Sequence, residues 1–74
     1  MYVEARYLLE SAVRLAEQRG AKLRSITIEG QVQPELAAAL TELLSSAGYE
    51  GVELVLIPGS QPARLSSVEL DGGR

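Results

Sequence analysis

The sequence predicts a small α/β domain, a two-layer α+β sandwich of order α-β-α-β-β, in which two helices cover one face of a three-stranded mixed sheet. Two segments have apolar residues at three- and four-residue spacing, and each ends at a glycine, Gly20 or Gly48. Three shorter segments are alternating or continuously apolar, as strands are. The 74 residues, 1–74, suffice for a single domain.

The first helix is predicted over Val3–Arg19 and the second over Pro34–Ala47. Proline suits a first helical position, and Glu35 follows it where the helix dipole favours an anion. The apolar stripe expected to face the core consists of Ala5, Leu8, Leu9, Ala12, Leu15 and Ala16 in the first helix, and of Leu36, Leu40, Leu43, Leu44 and Ala47 in the second.

Strands are predicted over Leu23–Glu29, Val52–Ile57 and Arg64–Leu70. The first two flank a helix, so we expect them to be parallel through a right-handed crossover. The last two are joined by the short turn-rich segment Pro58–Pro62, so we expect them to be antiparallel neighbours. Residues 71–74 are expected to be a frayed tail, and this tail together with the initiator Met predicts a complete gene product.

The chain contains no histidine and no cysteine. This composition excludes Ser-His and Cys-His nucleophile pairs, the usual zinc and haem ligands, and disulfide chemistry. The carboxylates are plentiful, but their spacing matches neither a metal-binding loop nor an acid/base pair. We therefore expect no catalytic residue, no metal ligand and no cofactor, and predict that the protein is not an enzyme.

The formal net charge is −3 and the pI is about 4.8. An acidic surface repels phosphates, so neither nucleic acid nor an anionic membrane is an expected partner. Glu4, Arg6 and Glu10 interrupt any signal peptide, which predicts a cytoplasmic location. Six of the seven basic residues are arginine and asparagine is absent, which suits a thermophilic source; GC-rich coding would produce the same bias.

The second predicted strand is apolar on both of its faces. Val52, Leu54 and Leu56 share one face, and Glu53, Val55 and Ile57 share the other. A strand with one solvated face normally alternates, so we expect an exposed apolar strip of Val55 and Ile57 with Leu65 or Leu23. Chain ends or loops covering this strip are the alternative. A core of this size rarely supplies more than ~3–5 kcal/mol, which favours a homo-oligomer, with a dimer expected first.

The chain also resembles the nickel-binding domain of the hydrogenase nickel-incorporation accessory proteins. The matching segments, in chain order, are Leu8–Ala16, Ile26–Gly30, Pro34–Leu36, Val52–Ile57 and Ser67–Glu69. That family binds nickel through a His-Glu pair after the initiator Met, where this chain has Tyr2-Val3. Its zinc module is replaced here by Pro58–Ala63, without cysteines. The resemblance therefore implies a shared scaffold and no metal binding.

These observations leave three functional hypotheses. The first is a small non-catalytic module for protein interaction and self-association through the open sheet face or an edge strand. The second follows from the resemblance: a metal-free accessory protein related to hydrogenase or urease maturation factors. The third is a small-ligand regulatory domain, in which the Gly30–Gln33 loop contributes backbone groups to a ligand held at a dimer interface.

Overall fold

A computed structural model describes residues 3–71 of the chain. It confirms the predicted fold class: two helices and a three-stranded mixed sheet in the order α-β-α-β-β. The elements are α1 (Val3–Gln18), β1 (Lys22–Gln31), α2 (Pro34–Ser46), β2 (Glu53–Pro62) and β3 (Arg64–Asp71).

Helix α1 crosses β1 and β3 and also packs against α2. Ala5 and Ala12 are completely buried, because alanine lets the helix approach the sheet closely. The predicted stripe of α1 is buried except for Leu15, whose exposed fraction is 38%. Leu15 therefore lies at the margin of the contact between helix and sheet rather than in the core.

Helix α2 begins at Pro34, as predicted, and buries Leu36, Leu40 and Leu44. These residues recur every fourth position and so form one stripe against the rest of the core. Leu40 is fully buried together with Ile26 and Ile28 of β1. These three are the largest fully buried side chains of the described residues, so they mark the centre of the core.

The strand order is β2-β1-β3, so β1 is the central strand. It pairs in parallel with β2, as expected from the helix between them, and antiparallel with β3. Our expectation that β2 and β3 are antiparallel neighbours is wrong, since β1 lies between them. Burial gives the reason: Ile26 and Ile28 make β1 the most deeply buried strand, and its ladder groups are satisfied on both sides.

The connection between β2 and β3 passes over the end of β1 at Gly30. Pro62 pairs with β1 on one side and Arg64 pairs with β1 on the other, so the chain crosses at Ala63. The predicted turn Pro58–Pro62 belongs to β2, and a register shift between Gly30 and the next residue absorbs its extra length. Only Ala63 lies between β2 and β3, and the chain can cross at this point because β1 ends at Gln31.

Asp71 is the last residue of β3 and pairs with Lys22, so it is not part of a frayed tail. Residues 72–74 of that predicted tail, and Tyr2 of the resemblance, lie outside the described residues. Within residues 3–71, neither helix has the length and hydropathy needed to cross a membrane.

Candidate functional site

The face of the sheet opposite the helices consists of three rows of side chains. In each row, a residue of β1 lies between its partners on β2 and β3. The rows are Glu53–Ser25–Glu69, Val55–Thr27–Ser67 and Ile57–Glu29–Arg64. Apolar side chains of this open face therefore belong to β2, while β1 and β3 contribute polar ones.

Polar contacts join β1 and β3 across the open face. The Ser25 hydroxyl donates a hydrogen bond to the Glu69 carboxylate over 3.2 Å, although Ser25 itself is buried. The Arg64 guanidinium lies 3.7 Å from the Glu29 carboxylate, and both side chains are substantially exposed. The part of the open face formed by β1 and β3 is therefore polar, and it can be solvent-exposed without a protein partner.

Two of the predicted interface residues lie where the sequence placed them. Val55 and Ile57 are on the open face of β2, and Ile57 has an exposed fraction of 42%. Leu65 and Leu23 are not part of this strip. Leu65 pairs with the fully buried Ile28, and Leu23 is itself in the core.

A register shift in β3 explains the position of Leu65. Ser67 pairs with Thr27, but the next residue of β1, Ile28, pairs with Leu65. Ser66 is therefore an extra residue in the β3 ladder, and it reverses the alternation of the residues that precede it. Strict alternation from Ser67 would have placed Leu65 on the open face.

Leu56 is an exposed apolar residue that the predicted apolar strip does not include. It pairs with Ile28 and so lies on the helix side of the sheet, yet its exposed fraction is 40%. Helix α1 packs over β1 and β3 rather than over the edge strand β2. The proline that follows Ile57 is the sequence signal for such a position, since prolines within sheets are confined mainly to edge strands.

The two edge strands differ in character. The exposed residues of β3 are all polar or charged: Arg64, Ser66, Ser67, Glu69 and Asp71. Charged and polar side chains discourage pairing at an edge. Strand β2 exposes Leu56 on one face and Ile57 on the other, with Glu53 as the only charged residue between its start and Pro58. Of the two edges, β2 is the one suited to association.

Two small pockets flank β2. One, of about 340 Å³, lies between α2 and Leu54. The other, of about 280 Å³, lies between Leu56 and the Gly30–Val32 segment. Leu54 lines the first pocket and Leu56 the second, and the two residues lie on the same face of β2, about 7 Å apart along the strand.

Two larger clefts, each of about 600 Å³, lie beside the helices and open to solvent. Within residues 3–71, no buried side-chain polar atom is left without a hydrogen-bond partner. No group of three or more acidic side chains in the described chain is placed to hold a metal ion. Charged side chains line both clefts: Lys22, Arg24 and Asp71 in one, Arg6, Glu10 and Arg14 in the other.

No protein-family model, curated protein or solved structure matches this chain. The resemblance to the nickel-binding accessory domains accordingly stays a prediction, as do all three functional hypotheses.

Proposed function

We propose that the protein is a small non-catalytic self-association module that forms a homodimer through β2. The observation that carries this proposal is that β2 is an edge strand exposing apolar side chains on both of its faces, at Leu56 and Ile57. An edge of this kind presents unpaired backbone N–H and C=O groups beside apolar surface, and such edges pair with other strands. On the sequence grounds above, the proposal includes a cytoplasmic location and no nucleic-acid partner.

The small core is a physical reason for association, because burial in an interface adds to the stability of the domain. Only a few leucines and isoleucines are fully buried, and the sequence contains neither disulfides nor the usual metal ligands that stabilise domains of this length. Covering the exposed parts of Leu56 and Ile57 would contribute about 25 cal/mol for each Å² of apolar area removed from water. Self-association therefore adds stability where the isolated domain has little.

Helix α1 has a second exposed apolar surface, which is the rival of β2 as the dimer interface. Val3 and Tyr7 are exposed to 75% and 68%, more than any large apolar residue of β2. They lie among charged residues, however, and Arg6 forms an ion pair with Glu10 on the same helix. A helix interior also has no free backbone groups to offer a partner. Val3 and Tyr7 are four residues apart, so they form one small apolar patch on α1, and small patches of this kind are ordinary features of a protein surface.

The test is solution mass measured against protein concentration, by light scattering after size exclusion. We expect a dimer for the natural sequence and a shift toward monomer for Ile57→Glu, because the change places a carboxylate in the apolar part of the edge. Ser66→Glu adds the same charge to the exposed surface of the other edge strand and should leave the dimer intact. Circular dichroism would confirm that both variants are folded.

Tyr7→Glu is the second matched variant, since it adds the charge to the rival surface on α1. A dimer that dissociates with Tyr7→Glu but not with Ile57→Glu would assign association to α1 and overturn the proposed role of β2. A monomer at every concentration of the natural sequence would overturn self-association altogether.

A further inference from the structure

We infer that the strand that pairs with β2 is β2 of a second copy, running antiparallel, with Val55 on the two-fold axis. This inference rests on the proposed function and specifies its geometry. The two sheets would join into one continuous sheet in the order β3-β1-β2-β2-β1-β3, with all helices on the same face.

The stretch of β2 that is free to pair determines which residue lies on the two-fold axis. The strand begins at Glu53, and Pro58 has no backbone N–H to donate. The register with β1 also shifts directly beyond Pro58. The available stretch is therefore Glu53–Ile57, and its midpoint is Val55. Full antiparallel pairing of this stretch with itself places Val55 opposite Val55 of the second copy.

This register places the apolar side chains of β2 opposite apolar side chains of the second copy. Leu54 would lie opposite Leu56 of the second copy on the helix side of the joined sheet. Leu54 lines the pocket of about 340 Å³ and Leu56 lines the pocket of about 280 Å³, so each would contact its opposed leucine of the second copy at the margin of a pocket. Every apolar residue that β2 offers on this face acquires an apolar neighbour.

Charge placement favours the same register over a parallel pair and over face-to-face packing. In the antiparallel pair, Glu53 lies opposite Ile57 of the second copy, so no carboxylate faces its equivalent. A parallel pair would place Glu53 directly beside itself, and like charges in opposed positions are destabilising. Packing two open faces together would instead bury the carboxylates of Glu29, Glu53 and Glu69 in the interface.

Cysteine cross-linking tests this geometry, because the natural sequence has no cysteine and a single introduced one can link only copy to copy. Residues opposed across an antiparallel pair have Cα atoms roughly 4.5–5.5 Å apart, which a disulfide spans. We expect Val55→Cys to form a covalent dimer on mild oxidation, detected on a non-reducing gel. Ser66→Cys, exposed on β3, is the matched control and should remain mostly unlinked.

A mixture of two variants, each with a cysteine at an exposed position, tests the register of the two β2 strands without altering half-buried Val55. Glu53→Cys and Ile57→Cys should link to each other when mixed. Glu53→Cys alone should not link efficiently, because its two copies would lie about 14 Å apart along the paired strands. Efficient linking of Glu53→Cys to itself, with no cross-link between Glu53→Cys and Ile57→Cys, would indicate the parallel arrangement and overturn the inference.

The outcomes separate this inference from the proposed function. A natural sequence that is dimeric, with variants that remain dimeric but show no cross-link for Val55→Cys or for the mixture, would overturn the antiparallel β2 pair and leave self-association standing. A natural sequence that is monomeric at all concentrations would overturn both. Cross-linking at both expected positions, with Ser66→Cys unlinked, would establish the pair.

Discussion

Gly30 lies so close to Pro62 that a Cβ atom built on Gly30 would stand 2.6 Å from the Pro62 carbonyl oxygen. The Cα atom of Ala63 would be only 2.9 Å from the same Cβ. These atoms belong to the connection that crosses the end of β1, and its backbone has no flexible side chain that can move aside. The strand order β2-β1-β3 therefore depends on glycine at position 30.

Gly30→Ala should destabilise the protein by about 3 kcal/mol or more, because overpacking adds to a strained backbone at φ 128°. A loss of this size approaches the whole stability expected of so small a domain. Urea denaturation followed by circular dichroism would measure it. Gly51→Ala is the matched control, since a Cβ there meets nothing within 4 Å and its φ is not positive. Equal midpoints for both variants would contradict the crossing at Gly30.

Leu40→Ala should destabilise by about 2–5 kcal/mol, because Leu40 is 1% exposed at the centre of the core and its removal leaves a cavity. Leu15→Ala is the comparison. The sequence pattern placed both leucines in the buried stripes, but Leu15 is 38% exposed and should lose much less. The difference between their free energies of unfolding, measured in urea, checks the placement of α1. Losses of similar size would show that Leu15 belongs to the core.

The hydrogen bond between Ser25 and Glu69 should contribute about 1 kcal/mol to stability. A double-mutant cycle with Ser25→Ala and Glu69→Ala, in which each variant is measured alone and together, would give the coupling free energy. Truncation of Glu69 to Ala should cost more than its replacement by Gln, because Gln can still accept the hydrogen bond from the buried hydroxyl. Additive effects in the cycle would show that the hydrogen bond contributes nothing measurable.

Glu29→Gln should change the free energy of unfolding by less than about 1 kcal/mol, because the ion pair of Glu29 with Arg64 is exposed and screened by water. The small difference should shrink further in 1 M salt, where charges are screened within a few ångströms. Urea denaturation at low and high salt would measure both values. A large, salt-independent loss would mean that Glu29 supports the crossing at Gly30 through contacts other than the ion pair.

The candidate interface was only partly predictable from the sequence. Val55 and Ile57 follow from alternation within one strand, and both lie on the open face. Leu65 was misplaced because the extra residue at Ser66 reverses the alternation, and no local pattern marks where a ladder will shift. Leu56 was not singled out because its exposure depends on how far the helices extend over β2.

The sequence by itself determined the two helices, the three strands, the parallel pairing of β1 with β2, and the absence of histidine and cysteine chemistry. These features depend on local periods, on stop signals such as Gly20 and Gly48, and on composition. Only the tertiary structure decided that β3 joins the far side of β1. That choice is a competition between long-range strand pairings, and it is settled by the burial of β1 and by the close crossing at Gly30.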